Sequence, residues 1–554
     1  MQRQQQTAIS SVGPSTGSRS PVMTRNGIVC SVSPLAASAG VRVLQEGGNA
    51  FDAAIAVAAA EAVTLPPMCG IGGEVFALLY QASTGKLHGL TGSGRAPQAA
   101  TRDYFMGKGY SKMPPHGPLT PAVPGEVHAW QTILDNFGTR SLASLMEPAI
   151  DLAENGFPIA SRISTFYTSY IDKLREYPST VARLTRNGQP FQAGDVLVQA
   201  DLARSLKRIA ENGPREFYEG ALAKELASAI QAAGGLITTD DLARHDSVLY
   251  DDPPSVTYRG HTVATNALPS QGLLILELLN IMEGFDLAGM GHNSADAIHA
   301  VAEAKKLAFA DRLAYVGDAE FVATPLDALL SKEFAAERRR NIDMKHASKQ
   351  VTAGALPETD GDTSYFCVVD AQGNAVSFIH SLSMYFGSGF IAGDTGILLN
   401  DRVGRGFYLD EGHPNVVAPG KRTINTIQTW MALKDGVPVL LGGTPGGDRQ
   451  PPWNAQIISN VLDFDMGVQE AAEAPRWNHF PGSDPATVEQ PYQLKLEDGV
   501  AQETVAELER RGHSIVPMSA GETPGAVQLI AIDPVTGVRT GGSDPRADGY
   551  PVAH

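Results

Sequence analysis

Hydrophobic positions recur along this chain with two different periods, and the two periods alternate from one end to the other. Short apolar or β-branched runs between turn residues predict strands, whereas longer stretches with apolar positions three and four residues apart predict helices. Strands are predicted at residues 27–32, 75–80, 255–257, 262–265, 363–369 and 375–379. Helices are predicted at residues 35–63 with a break at 46–49, and at 142–155, 272–282, 299–315, 453–462 and 500–511. The pattern predicts a protein that mixes helices and strands throughout its length.

One pair of predicted strands follows an abrupt change in composition. Residues 350–362 (QVTAGALPETDGD) are polar and rich in Gly, Pro and acidic side chains, which predicts an exposed loop. An uncharged strand begins at Thr363, and the turn residues 370–374 separate it from a second apolar run, so the pair predicts a β-hairpin. Taken by itself, a Thr where a loop meets a strand is an ordinary strand start.

Composition and charge narrow the range of partners. The 554 residues contain 43 Lys and Arg against 60 Asp and Glu, a formal charge of −17 that disfavours nucleic acid and anionic membranes. No apolar run approaches the roughly 18 residues of a membrane span. Residues 1–25 are polar and lack the apolar core of a secretory signal. We therefore expect a disordered segment at residues 1–25 and a cytoplasmic protein without a membrane partner.

The sequence contains no metal or phosphate-binding motif. Cys30, Cys69 and Cys367 are too few and too scattered for a disulfide framework or a zinc site, and each lies among apolar or small residues, as core cysteines do. The thirteen His residues show no H-E-x-x-H spacing. The glycines at 70–73 precede a strand rather than a helix and lack the Lys of a phosphate loop. No metal and no cofactor is expected.

Several motifs resemble those of one family. They are T-S-Y-F-C-V-V-D at 363–370, F-G-S-G at 386–389, G-D-T-G-I-L-L-N at 393–400, G-G-T-P-G-G at 442–447 and S-D-P-R-A-D-G at 543–549. Together they resemble the γ-glutamyltranspeptidase family of N-terminal-nucleophile hydrolases, over roughly residues 26–550. The resemblance implies an α+β protein with a four-layer αββα sandwich. It also implies that one precursor cuts itself between Asp362 and Thr363 into a large subunit, residues 26–362, and a small subunit, residues 363–554. A dimer of such heterodimers is compatible with it.

The chemistry explains why the family needs a Thr at this position. After the cut, the new α-amino group of Thr363, with an ordinary pKa of about 7.7–8.0, can act as base for its own hydroxyl. The resemblance makes Thr363 the nucleophile, makes Ser381 the hydroxyl that hydrogen-bonds it, and gives the backbone N–H groups of Gly446 and Gly447 to the oxyanion. His380 precedes Ser381 on a strand, so alternation places it on the opposite face and disfavours a Ser/His dyad.

The chain departs from the family where substrate is bound. Arg405 stands where the family has an Asp for the substrate amine, and Ser383 stands where it has an Asn. Asn425 and Thr426 stand where the family has a Ser pair that binds the α-carboxylate. Ser93 stands where the family has the Arg that binds the same carboxylate, and Arg95 follows two residues later.

Arginine suits a carboxylate and repels an ammonium group. We therefore expect a small amide substrate whose acyl group carries a carboxylate without the α-amine, as in oxamate-like or glutaryl-like amides. Alternatively, Arg402 and Arg405 are solvated charges and Asp401 binds the amine of a γ-glutamyl group.

Two further interpretations stay open. The chain could be an acylase or amidohydrolase on the same scaffold. It could also be an unprocessed, inactive scaffold protein.

Overall fold

The computed structural model describes residues 18–351, 363–482, 490–519 and 525–554. Asp362 and most of the predicted loop 350–362 lie outside these residues, as do residues 1–17. Within them, helices and strands alternate along the chain as the hydrophobic pattern predicts.

The strands are β1 Val22–Thr24, β2 Ile28–Ser31, β3 Glu74–Gln81, β4 Lys86–Gly92, β5 Phe157–Pro158, β6 Val196–Leu197, β7 Val248–Asp251, β8 Ser255–Tyr258, β9 His261–Thr265, β10 Ser364–Val369, β11 Ala375–Ser381, β12 Trp430–Lys434, β13 Val437–Gly443, β14 Trp477–Phe480, β15 Gln493–Glu497, β16 Ile515–Met518, β17 Gln528–Ile532, β18 Arg539–Ser543 and β19 Tyr550–Ala553.

The helices are α1 Pro34–Gln45, α2 Ala50–Thr64, α3 Arg102–Gly107, α4 Glu126–Phe137, α5 Leu142–Asn155, α6 Ser161–Ser169, α7 Ile171–Arg175, α8 Pro178–Leu184, α9 Ala200–Asn212, α10 Arg215–Tyr218, α11 Ala221–Ala232, α12 Thr239–Ala243, α13 Leu273–Met282, α14 Leu287–Met290, α15 Ala295–Tyr315, α16 Leu326–Leu329, α17 Lys332–Arg339, α18 Arg402–Gly406, α19 Gln450–Leu462, α20 Val468–Glu473 and α21 Gln502–Arg510. A 3₁₀ turn, Gly447–Arg449, precedes α19.

Two large sheets form the centre of the described structure. The first has the strand order β1-β18-β17-β13-β12-β9-β8, and the second has the order β19-β2-β10-β11-β3-β4-β7. The pairs within both sheets are antiparallel. Smaller sheets join β14-β15-β16 and β5-β6.

The side chains of each large sheet divide between two cores. On β10, Tyr365 and Cys367 pack against Met431 and Leu441 of the facing sheet, which defines a core between the sheets. Phe366 and Val368, on the other face of β10, belong to a core with helices such as α2, α4 and α5. Helices α13, α15 and α19 cover the outer face of the first sheet. The predicted four-layer αββα sandwich is confirmed.

The break predicted between the first two helices is also confirmed. Gly47, at φ +88°, ends α1, because this left-handed conformation costs little only in glycine. Asn49 then caps α2, with its side chain accepting from the Asp52 N–H while the Asp52 carboxylate accepts from the Asn49 N–H. The residues of α2 are buried on every side, and its many alanines allow neighbours to approach closely.

The first 25 residues are not wholly disordered. Val22–Thr24 forms β1 and pairs with Arg539–Gly541 of β18, so the prediction of disorder is wrong for these residues. The three cysteines are buried and free, as predicted. No helix in the described ranges is long and apolar enough to cross a membrane.

Candidate active site

Thr363 immediately precedes β10 and lies where the hairpin brings two hydroxyls together. The register pairs Ser364 with His380, which places Thr363 opposite Ser381 at the end of β11. The Thr363 hydroxyl donates to Ser381 Oγ at 3.3 Å, as the resemblance implies. Thr363 is only 1% exposed. The backbone pairing of the hairpin therefore positions the candidate nucleophile against its predicted partner.

A turn after β11 reinforces the position of Ser381. The backbone N–H of Ser383 donates to Ser381 Oγ at 2.7 Å, and Ser383 has φ +86°, a left-handed conformation that is uncommon outside glycine. The Ser383 hydroxyl is buried and has no partner among the described residues. Ser383 thus contacts Ser381 through its backbone rather than through its own hydroxyl.

The Gly446–Gly447 turn precedes a residue, Gln450, that contacts Thr363. Gly446 has φ +140° and Gly447 has φ +57°, and a β-carbon on Gly446 would lie 2.7 Å from the Trp453 ring. Glycine is therefore required at 446 both by conformation and by space. The side chain of Gln450, four residues after Gly446, donates from Nε2 to Thr363 Oγ1 at 3.4 Å. This contact connects the segment that follows the turn to the Thr363 hydroxyl.

A buried glutamine fixes this turn from the first sheet's side. Gln271 Nε2 donates to the carbonyls of Gly447, at 3.1 Å, and Thr426, at 2.7 Å. Sequence reasoning missed both Gln271 and Gln450. The only local signals were the positions of Gln271, immediately before the predicted helix 272–282, and of Gln450, three residues before the predicted helix 453–462.

Arg402 and Arg405 converge on one hydroxyl. Both belong to α18, and their Nη1 atoms donate to Thr426 Oγ1 at 3.3 Å and 2.8 Å respectively. Arg402 is 1% exposed and Arg405 is 9% exposed, so the alternative in which they are solvated charges is wrong. Burial lowers the pKa of Arg402, the Glu74 carboxylate opposes that shift, and the charge of Arg405 adds to it. Arg402 Nη2 is buried without a partner among the described residues.

Glu74 is the third polar residue that sequence reasoning missed. It begins β3 and is the cross-strand partner of Ser381. Its carboxylate accepts from Arg402 Nε and, at 3.1 Å, from the Ser93 hydroxyl. An acidic residue at the head of an otherwise apolar strand was the available signal. Glu74 neutralises one of the two arginines from within the sheet.

Asn425 and Asp401 complete this side of the site. Asn425 Nδ2 donates to Ser93 Oγ at 3.3 Å. Asp401 is fully buried; its Oδ1 accepts from the Met384 N–H at 3.0 Å, while Oδ2 has no partner in the described part of the chain. Burial lowers the pKa of Lys173, and the Asp401 carboxylate opposes that shift.

Arg95 is held elsewhere. Its guanidinium pairs with Glu320 at 2.9 Å and with Asp246 at 3.3 Å, and it donates to the Gly420 carbonyl. The side chain of Arg422 binds the same two carboxylates. This engagement argues against the predicted contact between Arg95 and substrate, because two acidic groups already satisfy its charge.

His380 faces away from Ser381, as the strand alternation predicts. Its ring nitrogens contact Glu61 and Glu126 on the helical side of the sheet, each at 2.8 Å. A Ser/His dyad is therefore excluded by geometry.

Two buried clusters have ligand-type side chains, Glu61 with Cys69 and His380, and His299 with Glu303 and His513. In the first, both His380 nitrogens already contact carboxylates. In the second, the two imidazoles hydrogen-bond each other at 2.8 Å, and a Lys306 ammonium binds Glu303. The expectation that no metal is needed stays a prediction.

Comparison with known proteins identifies the class to which this fold and site belong. The sequence model described as Gamma-glutamyltranspeptidase matches residues 36–554, so the chain belongs to the γ-glutamyltranspeptidase family. It is an amide hydrolase or acyltransferase of the N-terminal-nucleophile type.

The relatives divide between two kinds of name. The chain is 37% identical to the glutathione hydrolase proenzyme of Escherichia coli (strain K12), covering 95% of this chain and 91% of that one. It is 40% identical to the glutathione hydrolase-like YwrD proenzyme of Bacillus subtilis (strain 168), covering 94% and 97%. It is also 37% identical to the acylase ACY 1 proenzyme of Pseudomonas sp. (strain V22), covering 98% and 94%. Among solved structures, cephalosporin acylase from Bacillus halodurans superposes with a TM-score of 0.88 at 36% identity, covering 98% of both chains.

Proposed function

We propose that this chain cuts itself between Asp362 and Thr363, and that Thr363 then cleaves a small amide through an acyl-Thr intermediate. The observation that carries the proposal is the hydroxyl of Thr363, which lies 3.3 Å from Ser381 Oγ and 3.4 Å from the Nε2 atom of Gln450, four residues after Gly446. The relatives named above as proenzymes support processing from one precursor.

Thr363 and the Gly446–Gly447 turn have different roles in the proposed reaction. The free α-amine of Thr363 takes the proton of its own hydroxyl while Oγ1 attacks the amide carbonyl. The N–H groups of Gly446 and Gly447 stabilise the negative oxygen that forms. The ammonium then gives its proton to the leaving amine, the C–N bond breaks, and an ester on Thr363 remains. Water or an amine acceptor, losing its proton to the same α-amine, releases the acyl group.

The acyl group proposed for this site carries a carboxylate and lacks an α-amine. Two buried guanidiniums meet at Thr426 Oγ1, and Arg402 Nη2 has no partner among the described residues. A carboxylate can accept from such a pair in the forked geometry that guanidinium favours. Glu74 pairs with Arg402 Nε on the sheet side of this guanidinium. The relatives named acylase and cephalosporin acylase are consistent with an acyl group other than γ-glutamyl.

One observation favours the competing γ-glutamyl substrate. Asp401 Oδ2 is buried without a partner in the described residues and could accept from a substrate ammonium. Burying an ammonium beside two guanidiniums is costly, however, because like charges repel strongly where water is excluded. We therefore place this substrate second.

Two anilides that differ only in the α-amine test the acyl group. We expect glutaryl-p-nitroanilide to be hydrolysed with a kcat/KM at least about 10-fold above that of γ-glutamyl-p-nitroanilide, a difference of roughly 1.4 kcal/mol. Preference for the γ-glutamyl compound would contradict the proposed acyl group while leaving the role of Thr363 intact.

A further inference from the structure

A charged cluster lies directly behind the two candidate hydroxyls. His380 Nδ1 is 2.8 Å from Glu126 Oε1 and His380 Nε2 is 2.8 Å from Glu61 Oε2, and all three residues are fully buried. Trp130 Nε1 donates to the same Glu126 oxygen at 3.0 Å, and the Ser31 hydroxyl donates to Glu61 Oε1 at 2.6 Å. The cluster links α2, α4 and β11, and the reaction described above makes no use of it.

The geometry defines the charge of the imidazole. Both ring nitrogens face carboxylate oxygens, and an ionised carboxylate only accepts hydrogen bonds. Where both carboxylates are ionised, both nitrogens carry a proton and His380 is an imidazolium between them. Burial raises the pKa of Glu126, and the charge of His380 opposes that shift. Burial alone would lower the pKa of His380, but the charged surroundings, in which the Glu126 carboxylate contacts the ring directly, outweigh burial and raise the pKa of His380 well above its ordinary value.

The other groups that pack against the ring carry no charge. Burial raises the pKa of the Cys69 thiol to about 12, which keeps it protonated at neutral pH. The neighbours of His380 on the adjacent strands are Ser364 on β10 and Val75 on β3. Glu61 and Glu126 are thus the charged groups that face His380 from α2 and α4.

This cluster is connected to the candidate active site through Ser364 and His380, which are the sequence neighbours of Thr363 and Ser381. The Ser364 hydroxyl donates to Glu61 Oε2, the oxygen that also contacts His380 Nε2. Ser364 follows Thr363, and His380 precedes Ser381. Because successive strand residues point to opposite faces, holding Ser364 and His380 on one face fixes Thr363 and Ser381 on the other.

We propose that Glu61, His380 and Glu126 form a buried charged brace that positions the hydroxyls of Thr363 and Ser381 for reaction. The proposal rests on the role of Thr363 proposed above. The three residues are positioning residues, because they act through the strand and touch neither substrate nor the reacting atoms.

Replacing His380 tests the brace against a matched control. We expect His380→Gln to lower kcat about 10- to 100-fold, because small displacements of a reacting group have effects of this size, while KM changes by less than about 2-fold. The control is His299→Gln, which also removes a buried imidazole hydrogen-bonded at both nitrogens, here to His513 and the Asp343 carbonyl. It should lower Tm without lowering kcat. A folded, cut His380→Gln enzyme with wild-type kcat would overturn the proposal.

A second variant retains the imidazole and changes its charge environment. Glu126→Gln removes a carboxylate that raises the pKa of His380, so the imidazolium should lose its proton at lower pH. The decline of kcat at alkaline pH should therefore begin at a lower pH than in the wild type. A variant that only lowered the stability of the enzyme would not shift the pH at which kcat declines on the alkaline side. The variant also decides the question if His380→Gln does not fold, and an unchanged pH profile would overturn the proposal.

The two proposals fail in different ways. A wild-type chain that is neither cut nor active would remove the role of Thr363 and the brace with it. A cut, active wild type whose Glu126→Gln variant keeps both the wild-type kcat and the wild-type alkaline limb would remove the brace alone.

Discussion

The hydroxyl of Thr363 has two polar neighbours, and neither is a base at neutral pH. Ser381 offers a hydroxyl and Gln450 offers an amide N–H, both within 3.4 Å. The nearest imidazole on the same strands, His380, is turned to the other face of the sheet. Among the residues that the structure describes, none that contacts this hydroxyl could take its proton if Thr363 stayed in mid-chain. The geometry therefore fits a residue that supplies its own base once its amine is free.

Ser381→Ala should lower kcat by about 10-fold, because it removes one neutral hydrogen bond, worth about 1.5 kcal/mol at most, from the nucleophile. Steady-state kinetics on the anilide that is hydrolysed faster give the value. Ser205→Ala is the matched control, since its buried hydroxyl donates to the Thr395 carbonyl at 2.7 Å, in a loop outside the site. Equal losses in the two variants would count against a direct role for Ser381.

Arg405→Gln should raise KM for the glutaryl anilide about 10- to 100-fold with little change in kcat. A charged hydrogen bond to the substrate is worth roughly 1.5–3 kcal/mol, and binding of the remote carboxylate is the same in ground and transition states. The exposed Arg42, which pairs with Glu46, provides the control Arg42→Gln. A normal KM in Arg405→Gln would place the substrate carboxylate elsewhere.

At the scale of elements, every strand and helix that the hydrophobic pattern predicted is present in the structure, although these make up only about a third of the elements described. Helix α5 has the predicted bounds, and the hairpin β10–β11 follows from alternation and one turn. Helix α15 begins earlier than predicted, because Ser294 caps it by accepting from the Ala297 N–H. Local patterns define elements well where propensity, turn chemistry and period agree.

The parts of the site that were missed depend on distant packing. Glu74, Gln271 and Gln450 enter through strand pairing and side-chain reach between elements far apart in sequence, which no local period encodes. Arg95 was assigned to substrate from its offset in a motif. The position of a residue in a motif does not give the direction in which a long side chain points. Here Asp246 and Glu320, from other segments of the chain, determine the direction of the Arg95 side chain.

The Gly446–Gly447 turn is an element whose shape should determine catalysis. Gly446→Ala places a methyl group 2.7 Å from the Trp453 ring at φ +140°, so the turn must shift and its N–H groups move with it. We expect kcat to fall about 100- to 1000-fold, the usual cost of losing an oxyanion donor. The control is Gly436→Ala, because Gly436 has φ +79° and no atom within 4 Å of an added β-carbon. This variant introduces the backbone strain of a positive φ without a steric clash. Similar losses of kcat in both variants would contradict an oxyanion role.

At the scale of the whole molecule, the two subunits expected from the cut share both sheets. Strands β10 and β11 of the small subunit lie between β2 and β3 of the large one, and β9 of the large subunit pairs with β12 of the small one. Separating the subunits would break these ladders and open the core between the sheets.

The cut enzyme should therefore remain one particle in native buffer. Size-exclusion chromatography should recover both polypeptides in a single peak, and denaturant should be needed to resolve them. Spontaneous separation of an active enzyme into two species at native pH would contradict the interleaved architecture.

The most direct test of the account is the intact mass of the purified protein under denaturing conditions, with the Thr363→Ala variant beside it. We predict two wild-type polypeptides, of which the smaller begins at Thr363 and ends at His554, and a single uncut, inactive chain for the variant. A wild type that stays in one piece after long incubation, or one that is cut elsewhere and stays active in the Thr363→Ala form, would contradict the assignment of Thr363 as the nucleophile.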